Sequence, residues 1–301
     1  MTAAAVRPDP LVRAMPAVFV LIWSTGFIVA RYGMPHAPPM KFLALRYALS
    51  VLAFLVWAAL ARAHWPKDRR QWAHLAVTGI LMHAGYLGGV WAAVKAGMGA
   101  GLAALLVGLQ PVLTAIWVSM WGGRVTARHW GGLALGLGGL VLVVWEKLGF
   151  GEVGTLNLLF AFVALVAITA GTLYQKKFVA PCDVRTANLV QLAAAFVVTL
   201  PLALLETEAM RWTLADGRWN GELLGAVAWS VFGLTLGGSS LLYLLIQKGA
   251  ATTVTSLMYL VPPTTAVMAW ALFGEPITAL IMAGMALTAV GVSLVVRAPP
   301  R

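Results

Sequence analysis

The residues of this chain that could do chemistry are few, and most carry no charge. His83 stands near the middle of an apolar run, with Tyr86 one turn on. An imidazole there could line a binding site or carry a proton, since its ordinary pKa lies near physiological pH. A neutral histidine hydrogen-bonded between helices is the plainer alternative. Polar and aromatic groups stand at matching depths in other runs: Trp23, Ser24, Thr25, Trp91, Gln110, Thr169, Tyr174, Gln175, Gln191, Ser239, Ser240, Tyr243, Tyr259 and Thr264. A solute site is mostly apolar and aromatic with a few convergent polar groups, and this set has that make-up. Helix packing or an interfacial aromatic belt would place single members equally well, Trp91 and Tyr243 above all. Arg46, two turns inside its run, could neutralise an acidic group of a solute. The nearby Lys41 favours snorkelling to the surface or a structural pairing instead.

The acids exclude more than they offer. Asp9, Asp68 and Asp183 fall in loops on one side; Glu146, Glu152, Glu206, Glu208, Asp216, Glu222 and Glu275 fall at run ends or in loops on the other. None is mid-run. Intramembrane proteases, ion pumps and sodium-coupled carriers use buried carboxylates as ligands, bases or proton carriers. No Walker A lysine motif is present. The single Cys182 excludes an internal disulfide and a cysteine zinc site. The expectation is a protein that is not an enzyme, with no catalytic set, metal or cofactor.

The elements that must position these groups are membrane spans. Hydrophobic residues make up 61% of the chain and charged residues 10%, against about 25% charged in soluble domains. Ten windows reach the roughly 20 apolar residues a span needs: 14–33, 40–62, 71–94, 98–121, 128–147, 154–176, 185–205, 221–246, 250–273 and 277–296. With the N-terminus inside, fourteen Lys and Arg fall on the inner side and six on the outer, with Arg46 in a span, which accounts for all 21. That is the positive-inside bias, so the net charge of +11 speaks for membrane orientation rather than nucleic acid. Both termini are expected in the cytoplasm of a multi-pass inner (plasma) membrane protein. The short N-terminus lacks a small-residue cleavage site and is read as retained.

The spans come in two copies. A shift of 152 residues brings Gly85 onto Gly237, Trp91 onto Tyr243, Gly97 onto Gly249, Pro111 onto Pro263, Gly122 onto Gly274 and Gly132 onto Gly284. His83 meets Thr235. Five spans per copy is an odd number, so the second copy enters the membrane from the opposite side. The fold class is an all-α polytopic membrane protein of ten transmembrane helices in two inverted five-helix repeats, 14–147 and 154–296. Pro111 and Pro263 sit near the middle of spans four and nine, where proline frees a carbonyl. Such carbonyls need protein partners or a wet cavity. They place a cavity between those spans, with Pro111, Pro263, His83 and Tyr86 around it. Gly85-x-x-x-Gly89 and Gly233-x-x-x-Gly237 are read as packing devices.

Ile22-Trp23-Ser24-Thr25-Gly26-Phe27, Leu45-Arg46-Tyr47, Leu105-Leu106 with Pro111 and Trp121-Gly122, and Leu257 to Pro263 with Phe273-Gly274-Glu275-Pro276 resemble the paired repeats of the drug/metabolite transporter superfamily, EamA type. The first copy departs in reading Gly122-Gly123 where the second has Gly274-Glu275, which speaks against symmetric glutamates. The resemblance implies an inner-membrane exporter of small metabolites, often amino acids. It also implies a central cavity lined by spans one, three, four, six, eight and nine. The candidate site is Trp23, Thr25, His83, Tyr86, Gln110, Pro111, Thr169, Tyr174, Ser239, Tyr243, Tyr259 and Pro263. Partners are a small-molecule substrate and the lipid bilayer, with no nucleic acid and a homodimer left open. Rival classes are a membrane-embedded enzyme acting on lipid and a non-transporting scaffold. The enzyme would need a carboxylate, metal or nucleophile cluster at one depth. The scaffold would have no use for broken helices at repeat-related places.

Overall fold

Apolar runs bounded by caps and helix breakers build every major element. The computed structural model describes residues 10–120, 127–238, 241 and 260–296. Its helices are α1 (Pro10–Gly33), α2 (Pro39–Leu60), α3 (Arg69–Lys95), α4 (Ala100–Gly108), α5 (Gln110–Met120), α6 (Ala127–Gly149), α7 (Thr155–Phe178), α8 (Val184–Leu205), α9 (Gly221–Gly238), α10 (Val261–Phe273) and α11 (Ala279–Val296). Among the described residues no strand forms. The starts follow the local chemistry. Asp68, Asp183 and Asn220 each accept from a backbone N–H of the first turn of α3, α8 and α9. Gly274, at φ +67°, closes α10 in the left-handed conformation that a Cβ disfavours.

Among the described residues seven helical stretches are long and apolar enough to cross a membrane: Pro39–Leu60, Arg69–Lys95, Ala100–Trp117, Trp130–Gly149, Thr155–Phe178, Val184–Leu205 and Gly221–Gly238. Ala17–Gly33, Val261–Phe273 and Ala279–Leu294 are shorter apolar helices. Rows of exposed leucine and valine run along the outside: Leu52, Val56 and Leu60 on α2, Leu202 and Leu205 on α8. In water such rows would be costly; in lipid they match their solvent.

The helix contacts map onto themselves when the two halves are exchanged. α6 packs on α11 and α2 on α8, and the 152-residue shift carries α6 onto α11 and most of α2 onto α8. α3 packs on α7, and the exchanged pair, α9 on α1, also touches. The α6–α11 crossing shows why. Thr288 Oγ1 donates to the carbonyl of Gly136, its own mate, at 3.3 Å. Gly139 faces Gly284 and Gly291 faces Gly132 and Gly136 so closely that a Cβ on any of the three would overlap backbone.

The prolines differ from expectation. Span four breaks at Leu109, between α4 and α5, and Pro111 is the second residue of the new helix. Pro262 and Pro263 likewise fall in the first turn of α10. A proline there costs nothing, because first-turn N–H groups have no intrahelical acceptor.

Candidate functional site

Halfway along the bundle, α1, α2, α3, α7 and α9 leave a cavity of about 120 Å³. That is room for about four waters, at roughly 30 Å³ each. Trp23, Phe27, Leu87, Val90, Trp91, Ile168 and Leu234 make its walls apolar; among the described residues Arg46, His83, Tyr86 and Thr235 are its polar lining.

Each half contributes a π-helical turn. Ile80–Gly85 in α3 and Trp229–Gly238 in α9 are π-helical, and the 152-residue shift carries 80–85 onto 232–237. Such turns occur mostly as single bulges in α-helices, often at functional sites. His83 lies in the first and its mate Thr235 in the second. Two adjacent residues of α2 bridge the pair. Tyr47 Oη donates to the His83 carbonyl at 2.8 Å. Arg46 Nε and Nη2 donate to Thr235 Oγ1 at 3.3 and 3.2 Å. The Thr235 hydroxyl itself donates to the Ser230 carbonyl, five residues back, at 2.7 Å, which leaves its lone pairs for the guanidinium. Gln191 of α8 reaches the His83 side chain. Trp91 stacks on Phe42, centroids 4.3 Å apart. Glycine sets these contacts: a Cβ on Gly79 would overlap the backbone of Gln191, one on Gly85 would crowd Ala167, and one on Gly89 would overlap Phe160 and Ala164. The Gly85–Gly89 face is thus a packing device, as expected.

Of the expected site residues, Trp23, His83 and Tyr86 meet at this cavity. Thr25 faces the other side of α1, where its hydroxyl accepts from Trp229 Nε1 at 2.8 Å. Gln110 donates to Thr172 Oγ1 at 2.8 Å and ties α5 to α7. Thr169 is fully buried and bonds back to the Leu165 carbonyl. Tyr174 pairs with His74 Nδ1 at 2.9 Å near the end of α7. Pro111 is absent from the lining, and Pro263 lines a separate void of about 20 Å³ with Gly108, Pro262 and Thr288. The prolines and His83 therefore do not line one cavity, because Pro111 starts α5, which packs on α7 and α11, and Pro263 starts α10, which packs on α4 and α1. Among the described residues spans four and nine give the cavity no wall, while α2 does. Ser239, Tyr243 and Tyr259 lie outside the described residues. Snorkelling of Arg46 is also overturned: it is 7% exposed and turned inward. A signal for that was present. Arg46 shares the period-four stripe Phe42–Arg46–Ser50–Phe54, while Leu49, Leu52 and Val56 occupy the outward face.

Ion pairs between distant elements gather on the expected outer face. Glu206, at the end of α8, accepts from the Met40 and Lys41 N–H groups that open α2, at 3.0 and 2.8 Å. Lys95 meets Glu208 at 2.8 Å, and His36 meets Glu222 at 2.8 Å. Lys147 meets Glu152 at 2.8 Å, and Glu275 accepts from the N–H groups of Ala100 and Gly101 that open α4. On the opposite face the ion pair among the described residues is local, Asp183 with Arg185. Hydrogen bonding from Arg185 holds the Asp183 carboxyl below the usual carboxylate range.

The model of the EamA-like transporter family matches residues 15–145 and again 155–297. An uncharacterized transporter of Bacillus subtilis (strain 168), YvbV, is 26% identical, covering 93% of this chain and 89% of its own. An uncharacterized inner membrane transporter of Escherichia coli (strain K12), YedA, is 24% identical over 89% of this chain and 85% of its own. A probable amino-acid metabolite efflux pump of Salmonella typhimurium is 24% identical over 90% of both chains. A crystal structure of another protein shares the fold at TM-score 0.62 and 18% identity, covering 94% of this chain and 96% of that one.

Proposed function

The chain belongs to the EamA-like transporter family and is a multi-pass membrane transporter, and from that premise we propose that it is a secondary-active exporter of small metabolites, amino acids or amphipathic solutes among them. It crosses the inner membrane ten times as two inverted repeats, 14–147 and 154–296, with both termini cytoplasmic. The observation that carries the reading is the cavity itself. It lies halfway along the helices, is walled by both halves, and sets the repeat mates His83 and Thr235 on α2. The self-mapping helix contacts support the inverted arrangement.

Alternating access follows from these parts. The solute sits in the cavity while one bundle rocks against the other. The ties Lys95–Glu208, His36–Glu222 and Glu206 on α2 hold the outer ends together and must part for release there. The apolar walls exclude water from the bound solute, and the π turns are places where α3 and α9 can change register without unfolding.

Counterflow in proteoliposomes loaded with a panel of labelled metabolites tests this. Saturable exchange of at least one amino acid or amphipathic solute is expected. No exchange with any member of the panel, by protein that is folded and oriented, removes the proposal.

A further inference from the structure

Arg46 is the group in the cavity whose chemistry is unfinished. It is a permanent cation, 7% exposed, inside an apolar bundle. Two of its N–H groups point to a single neutral hydroxyl, Thr235 Oγ1. A hydroxyl cannot neutralise a charge, and buried charges are normally paired. Among the described residues no carboxylate pairs with it. The acids nearest in sequence to the second π turn are Glu222 before it and Glu275 after it, both at the outer end. Lys147, the other buried cation among the described residues, is 3% exposed and has Glu152 at 2.8 Å and Glu275 at 3.9 Å. The molecule thus supplies acids to a buried cation in the scaffold and withholds them from the one lining the cavity.

We infer that Arg46, oriented by Thr235, is the anchor for the carboxylate of the transported solute, and that the cavity takes small carboxylates with an apolar body. The proposal rests on the transport reading above and names its substrate class. A guanidinium presents a planar fork that fits a carboxylate with two parallel bonds. The remaining walls, Trp23, Phe27, Leu87, Ile168 and Leu234, suit a branched or aromatic body. Among the described lining residues Arg46 is the one permanent charge and can neutralise one carboxylate, so dicarboxylates and amines without a carboxylate are disfavoured.

The test measures ligand-induced thermal stabilisation of the purified full-length protein in nanodiscs, with no gradient. The probes are leucine, 4-methylpentanoate, leucinamide and 3-methylbutylamine. Leucine and 4-methylpentanoate are expected to bind about tenfold or more tightly than the amide and the amine, the worth of a charge-assisted pair. Arg46→Gln is expected to erase that difference. Arg46→Lys, which keeps the charge and loses the fork, is expected to keep the preference for acids with weaker binding. Equal binding of amide and acid overturns the inference, as does a response to none of the acids or undiminished acid binding by Arg46→Gln. Acid binding without counterflow would sink the transport reading alone; counterflow of amines but not acids would sink the inference alone.

Discussion

Among the described residues two cations are buried, and their surroundings differ in kind. Lys147 closes α6 with both oxygens of Glu152 on its ammonium, at 2.8 and 2.9 Å. Glu275 stands behind them and spends its carboxylate on the start of α4. Asn157 Nδ2 donates to the Glu152 carbonyl at 2.9 Å. That network is complete, and it joins the ends of α6, α7 and α10 to the start of α4. Arg46 has a threonine hydroxyl and open space. Desolvation penalises both charges. In one region protein groups offset the cost; in the other the offset waits for a ligand. The difference separates scaffold from site where burial alone does not.

That contrast breaks if the two cations respond alike to removal. The largest effect belongs to Lys147→Met. It leaves Glu152 and Glu275 without their cation, and breaking such a pair costs about 3–5 kcal/mol. The unfolding midpoint in detergent should fall steeply, while ligand binding per folded molecule stays. An unchanged midpoint would strip the cluster of its scaffold role.

Arg46→Gln should behave in the opposite way. Removing an unneutralised buried charge costs the fold little, so the midpoint should shift by less than about 1 kcal/mol or rise. Transport should be lost. A collapse in stability with normal exchange by the folded fraction would make Arg46 structural.

A smaller effect is expected from His83→Gln. Its carbonyl bond to Tyr47 survives, and only the imidazole is lost. Apparent affinity should fall about tenfold, near the upper worth of one hydrogen bond. Exchange and gradient-driven transport should fall together. If instead counterflow persists and only acceleration by a proton gradient disappears, His83 carries the coupled proton.

The smallest effect is at the exposed tie between Lys95 and Glu208. Hydrogen bonding from Lys95 holds the Glu208 carboxyl below its usual range. A depressed carboxylate stabilises above its unfolded pKa, and that contribution is lost as pH falls through the folded value. The protection of amides in 206–220 against hydrogen exchange, relative to their intrinsic rates, should therefore fall below about pH 4. A profile flat to acid would leave that tie without weight in holding the outer face.

Much of this fold was legible because lipid imposes simple rules. Run length placed the apolar helices, since it depends on sequence position alone. The family followed from the paired-repeat motifs. Site residues were harder, because depth along a helix does not give its rotation. Trp23, His83 and Tyr86 reach the cavity, whereas Thr25, two residues after Trp23, turns to Trp229. Thr169 and Tyr174 found partners on their own or neighbouring helices. The prolines misled because a break at Leu109 turned a mid-span position into a helix start. The π turns left no composition signal, though Gly85 and Gly237 marked their repeat-related place. Arg46 was misread by depth, while the phase of its apolar neighbours already turned it inward.

That solutes pass through the space between the two π turns can be tested with thiol labelling. In a Cys182→Ser background, Leu87→Cys and Leu234→Cys place one thiol on each side of the cavity. A membrane-impermeant maleimide applied separately to each face reports access. Transport through the cavity predicts that both thiols are labelled from either face and that a transported solute protects both. Labelling from neither face, or labelling that a transported solute leaves unchanged, contradicts it.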